Sequence, residues 1–375
     1  MKSVYLVLLN LLLFFSHTTI AQFPNLQWEK YSQFRGTDFY SDVLEDINKG
    51  YTVLGARSVP GNSLDFEVIR FSENGDKLWS KLLGTENKDV PEKIIQLSDD
   101  SYVLMGTTQT ADTIKLILIK TDEKGDELWR KIFNENEHLV AEDIIALDNG
   151  NFVLAGTKGA NLQNTKPWMG TLNSSGEIIG EKTFDDFNGT INSIKKIPDG
   201  GFALAGNVGE AGNKDCDMVI LRTDEAGEIT WSSEINSPNQ KVWPECICCS
   251  PDSCFMVVGW LGKCLNDINS EYAVFDFDLL INKIDCKGKV VWTKNFDKEG
   301  SEGGNAIIIR PDGSLIVAGV KVTSFLGEVG PWLLHIDAEG NTLSEKLLKM
   351  QLHQASKVIN CSDGGFIVIG PGMHE

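Results

Sequence analysis

The chain predicts an all-β fold, a seven-bladed β-propeller of four-stranded antiparallel blades. Three observations predict it. The phrase Asp199-Gly200-Gly201-Phe202-Ala203-Leu204-Ala205-Gly206 recurs along the chain in seven variants. Their anchors Tyr51, Tyr102, Phe152, Phe202, Phe255, Leu315 and Phe366 lie 51, 50, 50, 53, 60 and 51 residues apart. Between the anchors the apolar residues form short strand-like runs with no helical period. Repeats of about 40–50 residues with four strands each are the mark of a propeller, whose units bury their faces only by stacking in a ring.

The second repeat shows each element. Ile94–Leu97 reads as strand A, and Asp99-Asp100 turns the chain into strand B, Tyr102–Met105. Leu116–Ile119 is strand C, and Asp122-Glu123-Lys124-Gly125 turns into strand D, Glu127–Phe133. The A–B turns carry Asp, Asn and Gly, which tolerate the positive φ of tight hairpins. Gly in the C–D turn supplies the left-handed residue of a turn with a bulge. Strands B and C are continuously apolar, as expected when both faces are covered; strand D mixes Trp with Lys and Glu, as an outer strand does.

The ends test this scheme. Leu26–Phe34, containing Trp28-Glu29-Lys30, matches strand D but precedes the first strand A, Val43–Ile47. The last repeat, Val358–Gly370, stops after strands A and B. The N-terminal strand is therefore expected to complete the seventh blade and close the ring. Strand C of that blade has no counterpart. Either the blade is three-stranded or the chain is a shortened form of a longer array.

Residues 1–21 read as a secretory signal peptide: Lys2, an apolar run Val4–Phe15, then Thr19-Ile20-Ala21 before Gln22. The run is well short of the ~20 residues of a spanning helix. A secreted, periplasmic or cell-surface protein is expected, with residues 22–375 as one propeller domain and a monomer. The formal charge of −19 repels phosphate backbones and disfavours nucleic acid. No later stretch is long enough to span a membrane.

The repeat resembles that of secreted bacterial β-propeller-repeat proteins, whose units read D-G-G-F-x-L-A-G and then L-I-K-x-D-x-x-G-x-x-x-W. The resemblance covers residues 22–375 and implies the fold, with little about activity, since propellers host many functions. More distantly, the C–D turn with its Trp is similar to the tryptophan-docking motif of quinoproteins. Here it is one residue shorter, from Asp122 to Gly125. That similarity implies a quinone cofactor beside the vicinal pair Cys248-Cys249, although quinoproteins have eight blades and longer chains.

The loop face, onto which the D–A and B–C connections open, is where binding is expected. Just before strand A, equivalent positions hold Ser41, Glu92, Glu142, Asn192, Glu245, Asn305 and Ser356. They form a ring at the channel mouth. Its oxygens could hold calcium, Glu92, Glu142 and Glu245 could serve as acid and base, or the ring is a polar rim. Trp243, Trp260 and Tyr272 are aromatic ligand-binding candidates on the same face. The Pro167-Trp168 and Pro331-Trp332 pairs are expected to plug gaps between blades, and Trp79, Trp129, Trp231 and Trp292 to be structural.

Eight cysteines in an exported chain predict disulfides. Candidates are Cys216, Cys246, Cys249, Cys254, Cys264 and Cys286. Cys249 and Cys254 flank a turn and could pair across it, and Cys264 could pair with Cys216 or Cys246. A zinc site at Cys246–Cys249 is the alternative, without a His between His138 and His335. No catalytic residue, cofactor or nucleophile motif stands out. The expected function is non-catalytic recognition of a glycan or protein ligand through the loop face. The alternatives are a glycoside hydrolase or polysaccharide lyase using acidic loop residues and, more remotely, a quinone-dependent oxidoreductase.

Overall fold

The computed structural model describes Phe23, Glu29 and residues 39–371, apart from 62–63, 111–113, 134–137, 161–164, 210–216, 237–239, 251–253, 265–274, 298–299, 324–328 and 349–353. Among the described residues the chain runs through strands β1 (Phe39–Glu45) to β26 (Phe366–Ile369). They make six four-stranded antiparallel sheets and one two-stranded sheet. The first strands of the seven sheets are β1, β5 (Lys88–Gln96), β9 (His138–Ala146), β13 (Gly189–Lys196), β17 (Gln240–Cys249), β21 (Ser301–Ile309) and β25 (Lys357–Asn360). Each touches the next, and β25 touches β1, so the first strands line a closed ring. This is a β-propeller with the order A-B-C-D from centre to rim.

Six sheets match the expected blades. The seventh position holds β25 and β26 alone. The expected strand Leu26–Phe34 lies outside the described residues except for Glu29, which is in no strand. Two contacts fasten the seventh sheet to the first. Lys357 Nζ lies 3.2 Å from Asp42 Oδ1, and the Ser362 amide and hydroxyl donate to the two Glu45 oxygens at 2.7 and 2.8 Å.

Strand B of each four-stranded blade is mostly buried, as the apolar pattern requires, while β26 of the seventh sheet is half-buried. Val103, Leu104 and Met105 are inaccessible, and their counterparts pack between adjacent sheets in successive clusters. Trp168 and Trp332 are fully buried among these clusters, as the Pro-Trp pairs predict. The outer Trp residues dock on the next sheet. Trp129 Nε1 donates to Ser174 O at 3.2 Å, Trp231 to Cys286 O at 2.9 Å and Trp292 to Ala338 O at 3.3 Å.

The inner strands begin earlier than the apolar pattern predicts: β5 starts at Lys88, not Ile94. Consequently six of the ring residues lie within strand A, while Ser356 stands just before β25, as expected. In six sheets each is the extra residue of a β-bulge. The register jumps over Ser41, Glu92, Glu142, Asn192, Glu245 and Asn305. The glycine that ends the repeated phrase faces each bulge. A Cβ on Gly55, Gly106, Gly156, Gly206, Gly259 or Gly319 would stand 1.8–2.4 Å from a strand-A carbonyl oxygen. Gly370 of the seventh sheet is crowded in the same way, with Gln354 O at 1.9 Å. The glycine is thus required by close backbone approach.

Gly206→Ala is therefore expected to destabilise the fold by about 1–3 kcal/mol through overpacking against backbone. Gly180→Ala, whose Cβ meets nothing within 4 Å, is the matched control and should change stability little. Urea denaturation of both variants checks this; equal effects would show that the bulge does not impose the glycine.

Candidate functional site

A bulge puts one extra residue into a strand and bends it, which re-aims that side chain. Repeated around the ring, it sends the side chains of Glu92, Glu142 and Glu245 into the central channel from three different sheets. The glutamates interact with one another and with Lys93, the residue after the second bulge. Burial pushes the Glu92 carboxyl up to about 7, helped by the Glu142 charge and opposed by Lys93. Burial likewise lifts Glu245 to about 7 against Lys93, with Glu142 adding to the rise. Glu142 is raised by burial, against Lys93 and with Asp143. Glu245 remains open to channel water, yet protein surrounds it closely enough to weaken its solvation.

The position after the bulge does different work. Asp42 Oδ2 accepts from the Ile94 amide at 3.1 Å, Asp143 Oδ2 from the Ile194 amide at 2.9 Å, and Ser193 Oγ from the Ile247 amide at 3.3 Å. Each bond crosses from one sheet to the next and satisfies an amide on the inner edge of a first strand. Asp143 is also 3.5 Å from Lys195 Nζ. Burial alone would raise the Asp143 carboxyl, but Lys195, with Lys93, Lys357 and the Ile194 amide, holds it down to about 2. With Asp42 paired to Lys357 and Asp143 to Lys195, Lys93 is left facing three glutamates.

The asparagines of the ring are committed to structure. Asn192 Nδ2 donates to Pro244 O at 2.8 Å and to Asn207 Oδ1 at 2.9 Å. Asn305 Nδ2 donates to Ala355 O at 2.9 Å. Among the described residues, no three His, Cys, Asp or Glu side chains are grouped to hold a metal ion. The calcium and zinc expectations therefore find no formed site there.

Trp243 and Trp260 are directly opposite each other on β17 and β18 (Phe255–Cys264). Both rings pack on Phe277, at centroid distances of 5.8 and 6.0 Å. Trp260 is a wedge between blades: it covers Gly303 of the next sheet, and its Nε1 donates to Asn305 Oδ1 at 3.3 Å. Trp243 is half-buried, with Lys241 Nζ 5.5 Å from its ring centre. Tyr272 lies outside the described residues.

The expected pairings of Cys249 with Cys254 and of Cys264 with Cys246 are corrected. Cys246, Cys248, Cys249, Cys254, Cys286 and Cys361 are thiols. Cys249 stands opposite Phe255, one residue beyond Cys254. Successive side chains point to opposite faces of a sheet, so Cys249 and Cys254 point apart. Cys286 is an exposed turn residue whose carbonyl receives Trp231. Cys216 and the Cys264 side chain lie outside the described residues.

One constellation has the residue types of a nucleophile site without its chemistry. The Ser314 hydroxyl donates to Asp312 Oδ1 at 2.6 Å, and His335 Nε2 lies 2.9 Å from Ser314 Oγ. With the hydroxyl proton on Asp312, the imidazole is the donor to Ser314, the reverse of base activation. Asp99, Ser101 and Lys120 occupy the equivalent places in the second blade, with Lys120 Nζ 3.0 Å from Asp99. The set fastens strand C to the A–B turn.

No family model and no curated protein matches this chain. Solved structures do match. The Pan2 WD40 domain of Neurospora crassa aligns over 90% of both chains, with 11% identity and a TM-score of 0.55. An α-L-arabinofuranosidase of Fusarium graminearum, solved with an iminosugar inhibitor, covers 75% of this chain and 87% of its own. Its identity is 11% and its TM-score 0.51. At this identity the likeness is one of fold, and it agrees with the propeller described above. Among the described residues no helix is long and apolar enough to cross a membrane.

The glutamate cluster makes a signed prediction. A carboxyl with a folded-state pKa above its unfolded value keeps a proton that the unfolded chain has lost. Stability is then highest near the unfolded value of 4.5 and falls as pH rises through about 7. Urea denaturation from pH 5 to 8 is expected to show this fall, and Glu92→Gln combined with Glu245→Gln to flatten it. An unchanged slope in the double variant would separate the pH dependence from the channel.

Proposed function

We propose that the protein is an exported, monomeric, seven-bladed propeller that binds a glycan or protein ligand at the loop-face mouth of its channel. β17 is the recognition strand. The observation that carries this reading is the pairing of Trp243 and Glu245 on one strand. Trp243 is half-buried and flanked by Lys241, and the bulge turns Glu245 into the channel two residues later. An aromatic face stacks on a sugar ring or an apolar side chain, while a carboxylate beside it accepts hydrogen bonds from hydroxyl or ammonium groups. The signal-peptide pattern of residues 1–21 supports export.

A second reading is favoured by one observation, the raised carboxyls. Glycoside cleavage uses one carboxyl that is still protonated near neutral pH and another that is ionised. Glu92 and Glu245, lifted to about 7, together with Glu142, supply groups of that kind. Glu92 and Glu142 are half-buried, which favours such a role for them.

Glycan-array screening and pull-down from surface extracts would identify ligands. Trp243→Ala and Glu245→Gln are each expected to weaken capture about tenfold or more. Unchanged affinity in both variants would sink the recognition reading. If a captured glycan is also cleaved, Glu92→Gln or Glu142→Gln should abolish cleavage while binding persists. A glycan bound by the wild type and left intact rejects the hydrolase reading.

A further inference from the structure

The first two strands of the fifth sheet are rich in sulfur. Cys246, Cys248 and Cys249 stand on β17, and Met256 stands on β18. Cys248 is directly opposite Met256, and Cys246 is opposite Val258. Directly opposed residues put their side chains on one face of a sheet, with Cβ atoms about 4.5–5.5 Å apart, and residues i and i+2 share a face as well. Cys246, Cys248 and Met256 therefore project from one face and Cys249 from the other. The packing agrees. Cys246, Cys248 and Met256 join Val258 and Ile307 in the cluster between the fifth and sixth blades, whereas Cys249 joins Ile247 and Phe255 in the cluster toward the fourth.

The scaffold does not call for sulfur at these places. In the second blade the same three positions hold Lys93, Ile95 and Val103, with Ile95 opposite Val103. In the third they hold Asp143, Ile145 and Val153, with Ile145 opposite Val153. The two thiols of the fifth blade interact with each other and with Lys195, and Cys246 also interacts with Lys357 of the seventh sheet. Both thiols are half-buried, and Met256 is buried.

We propose that Cys246, Cys248 and Met256 bind one copper(I) ion. Structural zinc takes four donors in a tetrahedron, and calcium takes oxygens. This face offers two thiols and a thioether, the soft donors that select copper(I). The unbranched Met256 side chain has three rotatable bonds with which to bring its sulfur to the ion. On binding, each thiol gives its proton to solvent and forms a sulfur–copper bond, and no oxidation state changes. Two thiolates and one monovalent cation leave a single negative charge, which the Lys195 ammonium offsets. The site does not depend on the recognition reading, since Trp243 and Glu245 take no part in it.

Anaerobic titration of the reduced wild-type protein with copper(I), in competition with a chromogenic cuprous chelator, tests this. The protein is expected to withdraw one equivalent from the chelator. Cys246→Ser and Cys248→Ser should each weaken capture by more than ~100-fold, beyond the cost of losing an outer-shell partner. Met256→Leu should weaken it by less, and Cys286→Ser, in an exposed turn, should leave it unchanged. No withdrawal by the wild type, or capture unchanged in both Cys246→Ser and Cys248→Ser, overturns the proposal. If a serine variant fails to fold, X-ray absorption at copper decides, with the wild type compared with the volume-conserving Met256→Leu. A sulfur-only shell that loses one sulfur in the variant is expected. Nitrogen or oxygen neighbours, or the same sulfur shell in both proteins, overturn it.

Discussion

The inner edge of each first strand faces the channel and has no strand beside it. Amides left unpaired on that edge and shielded from water would cost about 1–3 kcal/mol each. The structure answers with a side chain from the preceding sheet, as Asp42, Asp143 and Ser193 receive the amides of Ile94, Ile194 and Ile247. The bulge makes this reach feasible, because it bends the strand and frees one residue from the ladder. The glycine opposite makes the bulge feasible, because no Cβ fits there. Glycine, bulge and carboxylate are therefore parts of one device, and the ring is stitched wherever the device repeats.

The same device decides what the channel contains. The bulged residue faces inward whatever its identity, so its chemistry can vary without changing the fold. An asparagine there has amide hydrogens to give to the next strand's carbonyl, and Asn192 and Asn305 give them. An ionised glutamate has none. Glu92, Glu142 and Glu245 thus carry charge into a narrow space with Lys93 as the cation they share. Retaining a proton relieves that crowding, and the raised carboxyls follow from this and from burial.

Much of the architecture was legible because the repeat is a backbone requirement. Strands B and C, the turns and the docking tryptophans lie where the apolar runs and glycines place them. The ring residues were legible as equivalent positions, since their spacing follows the anchors. Their bulged geometry was not, because a bulge is a register shift between two strands and leaves only the opposing glycine as its signal. Lys93, Asp42 and Asp143 were missed for a related reason: one residue's displacement separates a channel-facing side chain from one that crosses to the next sheet. The cysteine pairing failed on the pleat, because closeness across a turn says nothing about which face each thiol takes. Trp260 was read as a platform, yet its ring is held by Gly303 and Asn305.

The seventh sheet, two-stranded among the described residues, shows the same device at work on its inner side. It keeps the inner contacts: Gly370, just after β26, is crowded by the carbonyl of Gln354, which precedes β25, and Lys357 reaches Asp42. At this sheet Arg310 ties the A–B turn to the sixth blade, donating to Asn360 Oδ1 and Gly365 O at 2.9 Å each. The inner half of this blade thus continues the ring at the channel, where the sheets crowd together. At the rim the sheets splay apart, and only bulky side chains bridge the gap. That division explains why the outer strands carry Trp and Lys while the inner ones carry glycine and carboxylates. It also puts the variable chemistry in the channel, where the scaffold needs least from the side chain's identity.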